Sequence, residues 1–206
     1  MTLRVYLVRH GQTDGNAEGR SQGLRDVPLN DLGRAQAAAV GARLGVRPLV
    51  AVYASPLARS VATAEAIAAP LGLEVRVDAR FGELDHGDLD GLTGEELRRD
   101  HADFLAAWRE GDPADLTMPG GESMRDAQRR MVAAIEAIVE QHADGEVAVV
   151  SHNLATRAFL CYALGVPLAS FRRFRHDLAS FAEIERLSNG GWLVSRLNEA
   201  CHLPGE

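Results

Sequence analysis

The spacing of strand-like runs constrains this chain most. Four short apolar, β-branched segments, LRVYLV (3–8), LVAVYA (49–54), LEVRVD (73–78) and EVAVVS (146–151), are separated by long stretches of helical periodicity. Strands that are apolar on both faces must be covered on both faces, and parallel strands need long crossover connections. The pattern predicts an α/β fold in three layers: an open, mostly parallel sheet with helices on both faces. Asn30 or Asp31 can cap LGRAQAAAVGARLG, and the helix LARSVATAEAIAAPLG stops at Pro70 and Gly72. Residues 94–110 and 122–142 read as further helices, and NLATRAFLCYALG ends before Pro167. The late runs SFAEIER and WLVSRLN flank LSNGG, a hairpin signal that adds an antiparallel pair near the C-terminus. A length of 206 residues suits one domain over 1–206, with an irregular cap insertion at about 84–121.

In an open parallel sheet, ligands bind beyond the carboxyl ends of the strands. The first run ends in Arg9-His10-Gly11 and the second leads to Arg59 in the first turn of a helix. The third runs into Glu83 and His86, and the fourth ends in Ser151-His152-Asn153. Each alone reads as a solvated strand end, a helix-surface cation or a loop acid. Together they place two imidazoles, two guanidinium groups and a carboxylate on one edge. That set is suited to phosphoryl transfer. Guanidinium groups fork onto phosphate oxygens, and backbone N–H groups near Gly11 could add donors. A neutral imidazole can attack phosphorus, a carboxylic acid can protonate the leaving alkoxide, and a second imidazole can stabilise the transferring group.

Composition narrows the alternatives. The chain has 22 arginines, no lysine and a net charge of −7. A P-loop phosphate site and a pyridoxal Schiff base both need lysine, so neither mechanism is available. An acidic chain with no basic run is a poor nucleic-acid partner. No segment reaches the length of an apolar membrane span, and the start of the chain leads directly into a strand instead of a signal peptide. Cys161 and Cys201 form no CxxC, which fits intracellular thiols and a cytoplasmic location. The histidines have no metal-ligand spacing, and a His/carboxylate metal site is the minor alternative for the cluster. His101, His142 and His176 are expected at the surface or in loops, and Phe104 with Trp108 in a small satellite core.

LVRHGQTDGN resembles the RHG signature of the histidine phosphatase superfamily, the phosphoglycerate mutase-like family. QGLRDVPLNDLGRAQA, VYASPLARSVATAE, PGGES and VVSHNLATRA are similar to further family segments, in the same order and across nearly the whole chain. The resemblance implies His10 as a phosphorylated nucleophile, with neither a metal nor another cofactor. Arg9, Arg59 and His152 would form the phosphate pocket, with Asn16 assisting and Glu83 as general acid and base. Gln22, Gly23 and Asn153 would line the substrate entrance. Relatives often pair as dimers, so a homodimer is a possible assembly.

Within the family, the mutase pattern follows the catalytic glutamate with a Tyr-Gly, then a lysine, and carries an Arg-Arg pair in the insertion. Here the counterparts are His86-Gly87 and Gly94, and the insertion reads EGDPADLTMPGG. The cations that would hold a second anionic group are missing, which favours a phosphatase acting on small phosphorylated metabolites. ELDHGDLDG and the ending LNEACHL resemble metal-independent phosphoserine phosphatases, which would make His86 and His202 specificity residues. The alternatives are glucosyl-3-phosphoglycerate, α-ribazole phosphate or a broad range of esters. A turn at His86 and tail packing at His202 is the competing reading of those two histidines.

Overall fold

A computed structural model describes residues 2–203 of the chain. Its sheet has six strands: β1 (Leu3–Arg9), β2 (Leu49–Ala54), β3 (Val75–Val77), β4 (Gly145–Ser151), β5 (Phe181–Arg186) and β6 (Trp192–Glu199). Their order is β3-β2-β4-β1-β5-β6. The first four in sequence are mutually parallel, β5 runs antiparallel to β1, and β6 antiparallel to β5. The expected hairpin is therefore present. The run at 73–78 shortens to three residues because β3 is an edge strand with a partner on one side only, and Val77 is exposed.

Seven helices are present among the described residues: α1 (Asp14–Ala17), α2 (Asp31–Leu44), α3 (Ala58–Ala68), α4 (Gly94–Asp100), α5 (Ala102–Glu110), α6 (Met124–Gln141) and α7 (Asn153–Ala163). Asn30 caps α2 by accepting from the Gly33 N–H at 2.9 Å. Ser123 and Asp126 close a reciprocal capping box at α6. The single helix expected over 94–110 is broken at His101, whose backbone (φ −132°, ψ 34°) ends one helix and starts the next. The four-residue α1 was not anticipated. It is held by Thr13 and Asn16, each accepting from the other's backbone.

Alternation along the central strand builds two cores. Leu3, Val5 and Leu7 of β1 pack with Met131, Ile135 and Phe159 of α6 and α7. Tyr6 and Val8 point the other way, onto Val40, Leu44 and Ile67 of α2 and α3. A third cluster joins the insertion to α6 and α7 through Leu84, Leu89, Met118, Met124 and Phe171. Phe104 and Trp108 stack at 6.2 Å against its edge, as small-core packing. Among the described residues, no helix is long and apolar enough to cross a membrane.

Candidate active site

The sheet itself brings the two histidines together. β1 and β4 are neighbours with Arg9 opposite Ser151, so His10 and His152 leave adjacent strand ends side by side. Their ring centroids are 5.0 Å apart, and both are buried. The His10 N–H donates to Ser151 O at 3.2 Å, and its Nδ1 lies 2.7 Å from the Gly11 carbonyl. A carbonyl can only accept, so Nδ1 carries the proton and Nε2 presents a lone pair. The Arg59 Nε–H donates to that Nε2 at 3.3 Å.

Arg59 is fully buried, at 0% exposure. It is anchored by carbonyls, with Nη1 on Arg25 O and Nη2 on Gly23 O, both at 2.7 Å. Arg9 places Nη1 on His176 O at 2.8 Å, and its Nε is buried without a partner. Among the described residues, neither guanidinium has a carboxylate within ion-pair distance. Both nitrogens of His152, Nε2 of His86 and Nε2 of His176 are also buried and unpartnered. Buried cations and orphaned donors are costly unless a ligand completes them. The complement of this set is a compact anion.

Glu83 is not at a strand end. After β3 the chain makes a 3-10 turn at Ala79–Phe81, and the following loop carries Glu83 to the start of α7. There its Oε1 accepts from the N–H groups of Leu84 (2.9 Å), Leu154 (3.1 Å) and Ala155 (3.0 Å). Arg130 of α6 holds this loop from behind, donating to the carbonyls of Arg80, Gly82 and Glu83 at 2.6–2.8 Å and pairing with Glu122. Asn153, the first residue of α7, lies at the same edge.

At the entrance, Asn16 Oδ1 accepts from Thr13 N–H at 3.1 Å, and Gln22 Oε1 accepts from Thr13 Oγ1 at 2.9 Å with its Nε2 buried and free. His86 joins this side of the site, its Nδ1 lying 2.7 Å from Ser21 Oγ. His202 is half-buried elsewhere in the tail, donating from Nε2 to Ala179 O at 2.9 Å and stacking on Phe181 at 5.7 Å.

One expectation needs correction. The Gly11 N–H is not a free donor, because it is bound by Thr63 Oγ1 at 3.2 Å. Glycine is needed there for close packing instead: a Cβ on Gly11 would sit 2.4 Å from Gly33 O. The Gly23 N–H goes to Asp90 (3.0 Å) and its carbonyl accepts from Arg59. His176 lies in a loop, as expected, but it is not at the surface. It is 1% exposed beside Arg9, and burial together with Arg9 and Arg157 pushes its pKa down to about 3.

Burial, reinforced by Arg59 and Arg9, also holds His10 well below the ordinary histidine value. His152 is lowered by burial, then by His10 and Arg59. Both rings are therefore neutral near pH 7. Arg157 adds a further cation close enough to sense Glu83, with Nε on Phe171 O at 2.9 Å and its plane over the Phe171 ring. Sequence reasoning missed Arg130 and His176, which carry no motif signal, and passed over Thr63, which lies within the VYASPLARSVATAE segment. Arg157 closes the VVSHNLATRA segment, so a signal for it was available.

Fold and site together define a phosphate-handling α/β enzyme built around paired neutral imidazoles and unpaired arginines. The family comparison agrees. The histidine phosphatase superfamily (branch 1) profile matches residues 5–200, and the chain belongs to that family. It is 35% identical over 201 residues to phosphoserine phosphatase 1 of Hydrogenobacter thermophilus, covering 98% of this chain and 94% of that protein. It is 36% identical over 205 residues to a Klebsiella pneumoniae protein named "Probable phosphoglycerate mutase", with 98% and 95% coverage. Among solved structures, a mycobacterial glucosyl-3-phosphoglycerate phosphatase superposes with a TM-score of 0.88 at 30% identity, over 97% of this chain and 100% of that one. The chain is an enzyme of the phosphoric monoester hydrolase class.

Proposed function

We propose that this enzyme hydrolyses small phosphomonoesters through a phosphohistidine on His10, without a metal ion. The observation that carries the reading is the His10 ring, whose Nδ1 is committed to Gly11 O while the Nε2 lone pair faces the unpaired arginines. A phosphate dianion would complete Arg9, Arg59 and the one N–H of neutral His152. His10 Nε2 then attacks phosphorus in line, forming a P–N bond as the ester P–O bond breaks. The departing alkoxide takes a proton from Glu83. Glu83 next removes a proton from water, whose oxygen attacks phosphorus while the P–N bond breaks and inorganic phosphate forms. Arginines supply the charge neutralisation throughout, and the His152 N–H a hydrogen bond.

Phosphoserine is the substrate this reading favours. With Ser21 Oγ–H donating to Nδ1, His86 carries its proton on the buried, unpartnered Nε2, a donor suited to a carboxylate on the leaving group. The likeness to phosphoserine phosphatase 1 supports the choice. Glucosyl-3-phosphoglycerate is the second reading, supported by the superposition on the mycobacterial enzyme. Mutase action is disfavoured because the 110–121 segment supplies no second cation pair.

The test is a side-by-side assay of phosphoserine, glucosyl-3-phosphoglycerate, α-ribazole phosphate and 3-phosphoglycerate in excess chelator, with His10→Ala as control. Phosphate release that survives chelation and is lost in the variant is expected, with phosphoserine turned over fastest. Activity retained by the His10 variant would sink the mechanism.

A further inference from the structure

Two non-glycine residues among those described have positive φ: Ala179 at 54° and Asn198 at 52°. A left-handed alanine persists only where its surroundings hold it there. Ala179 is fully buried, and both of its backbone polar groups are engaged. Its N–H donates to the His10 carbonyl at 3.1 Å, and its carbonyl accepts from His202 Nε2 at 2.9 Å.

The neighbouring residues of the same turn hold Arg9. Ser180 O accepts the Arg9 N–H at 3.0 Å, and His176 O accepts its Nη1 at 2.8 Å. From the far side, Asn198 grips Asp177 at both ends of its side-chain amide, Nδ2 to Oδ2 and Oδ1 from the Asp177 N–H, each at 2.7 Å. The His202 ring also stacks on Phe181, with 23° between the planes. The segment 176–180 thus lies between the catalytic strand end and the C-terminal tail, and the second left-handed residue is itself one of the clamps.

We propose that His202 and Asn198 are positioning residues for the nucleophile, acting through the left-handed turn at Ala179. Released from them, Ala179 relaxes toward negative φ and its N–H swings off the His10 carbonyl. His10 then keeps only its N–H bond to Ser151 O as a main-chain restraint, and in-line attack on phosphorus loses alignment. This assignment rests on His10 being the nucleophile. It differs from a substrate-reading role for His202, because the donor of that ring is already committed to the backbone of its own chain.

The experiment measures phosphoenzyme formation by rapid quench, with p-nitrophenyl phosphate, phosphoserine and 3-phosphoglycerate, in His202→Ala, His202→Gln, Ala179→Gly and the double variant Ala179→Gly/His202→Ala. His202→Ala should slow the step on the order of tenfold, by the same factor for every ester and in kcat more than in KM. His202→Gln should recover most of the rate, since the glutamine Nε2–H can donate to the same carbonyl. In the Ala179→Gly background the His202→Ala loss should shrink, because glycine takes positive φ without a clamp. If His202→Ala fails to fold, Asn198→Ala is measured in the two backgrounds with the same expectation. A loss confined to one ester would make His202 a substrate contact and overturn the proposal. Additive effects, or a lower Tm at an unchanged rate, would overturn it as well. Activity in His10→Ala would instead refute the site assignment beneath it, whatever the tail variants do.

Discussion

Replacing Gly33 with alanine sets local propensity against tertiary packing. Gly33 lies in the first turn of α2, where helix propensity alone favours alanine by about 1 kcal/mol. The structure predicts the opposite sign. A Cβ at Gly33 would stand 1.9 Å from Gln12 O and 2.8 Å from both Gln12 C and N, all backbone atoms that no rotamer change can move. Bringing the oxygen contact to 3.0 Å requires the helix and the 11–12 segment to part by 1.1 Å. Overpacking of this kind costs about 1–3 kcal/mol, and backbone-on-backbone overlap belongs at the upper end. Net of propensity, the loss should be about 2 kcal/mol, a fall in Tm of roughly 4–8 °C for a chain of this size. The segment displaced follows His10 directly, so kcat should fall too, by up to about a hundredfold for an ångström of misplacement. Gly94→Ala is the matched control, since its Cβ would meet only the mobile end of Arg98 at 3.3 Å. Thermal melts and steady-state kinetics on an aryl phosphate measure both effects. A Gly33→Ala enzyme as stable and as active as wild type would refute the reasoning.

Arg130→Met removes the donors that hold the carbonyls of Arg80, Gly82 and Glu83. It should lower kcat on the order of tenfold through misplacement of Glu83 while KM changes little; a rise in KM alone would contradict the positioning role. The buried histidines set an acid limit on stability. His10, His152 and His176 stay neutral in the folded protein below the pH at which the unfolded chain protonates them. The unfolded state therefore binds more protons once pH falls below about 6.5, and stability, complete above that value, declines as pH is lowered. Tm should drop between about pH 6.5 and pH 5, ahead of most carboxylate titration. His176→Gln should make that slope shallower, and an unchanged slope would show that His176 does not contribute.

The order of strands and helices, the hairpin and the candidate cluster were legible in the sequence because each rests on a local signal. Continuous apolar runs require a covered sheet, and strand ends carrying Arg9-His10 and Ser151-His152 are unusual enough to notice. The resemblance to the histidine phosphatase family added the order of the motifs and pointed to the roles of the polar residues. What the sequence could not decide was which groups are already occupied. The backbone near Gly11 looked open to a ligand, yet Thr63 binds the Gly11 N–H. His176 is a loop residue as it looked, but nothing in RFRHD shows that it is buried beside Arg9 with its carbonyl accepting from that guanidinium. Hydrogen-bond partners far apart in sequence form only when the sheet closes. Sequence alone thus determined the fold class and a candidate set of phosphate-handling residues. The tertiary structure decided which of their polar groups are already paired and which stay unpartnered, because burial and pairing belong to the packed chain and not to any segment of it.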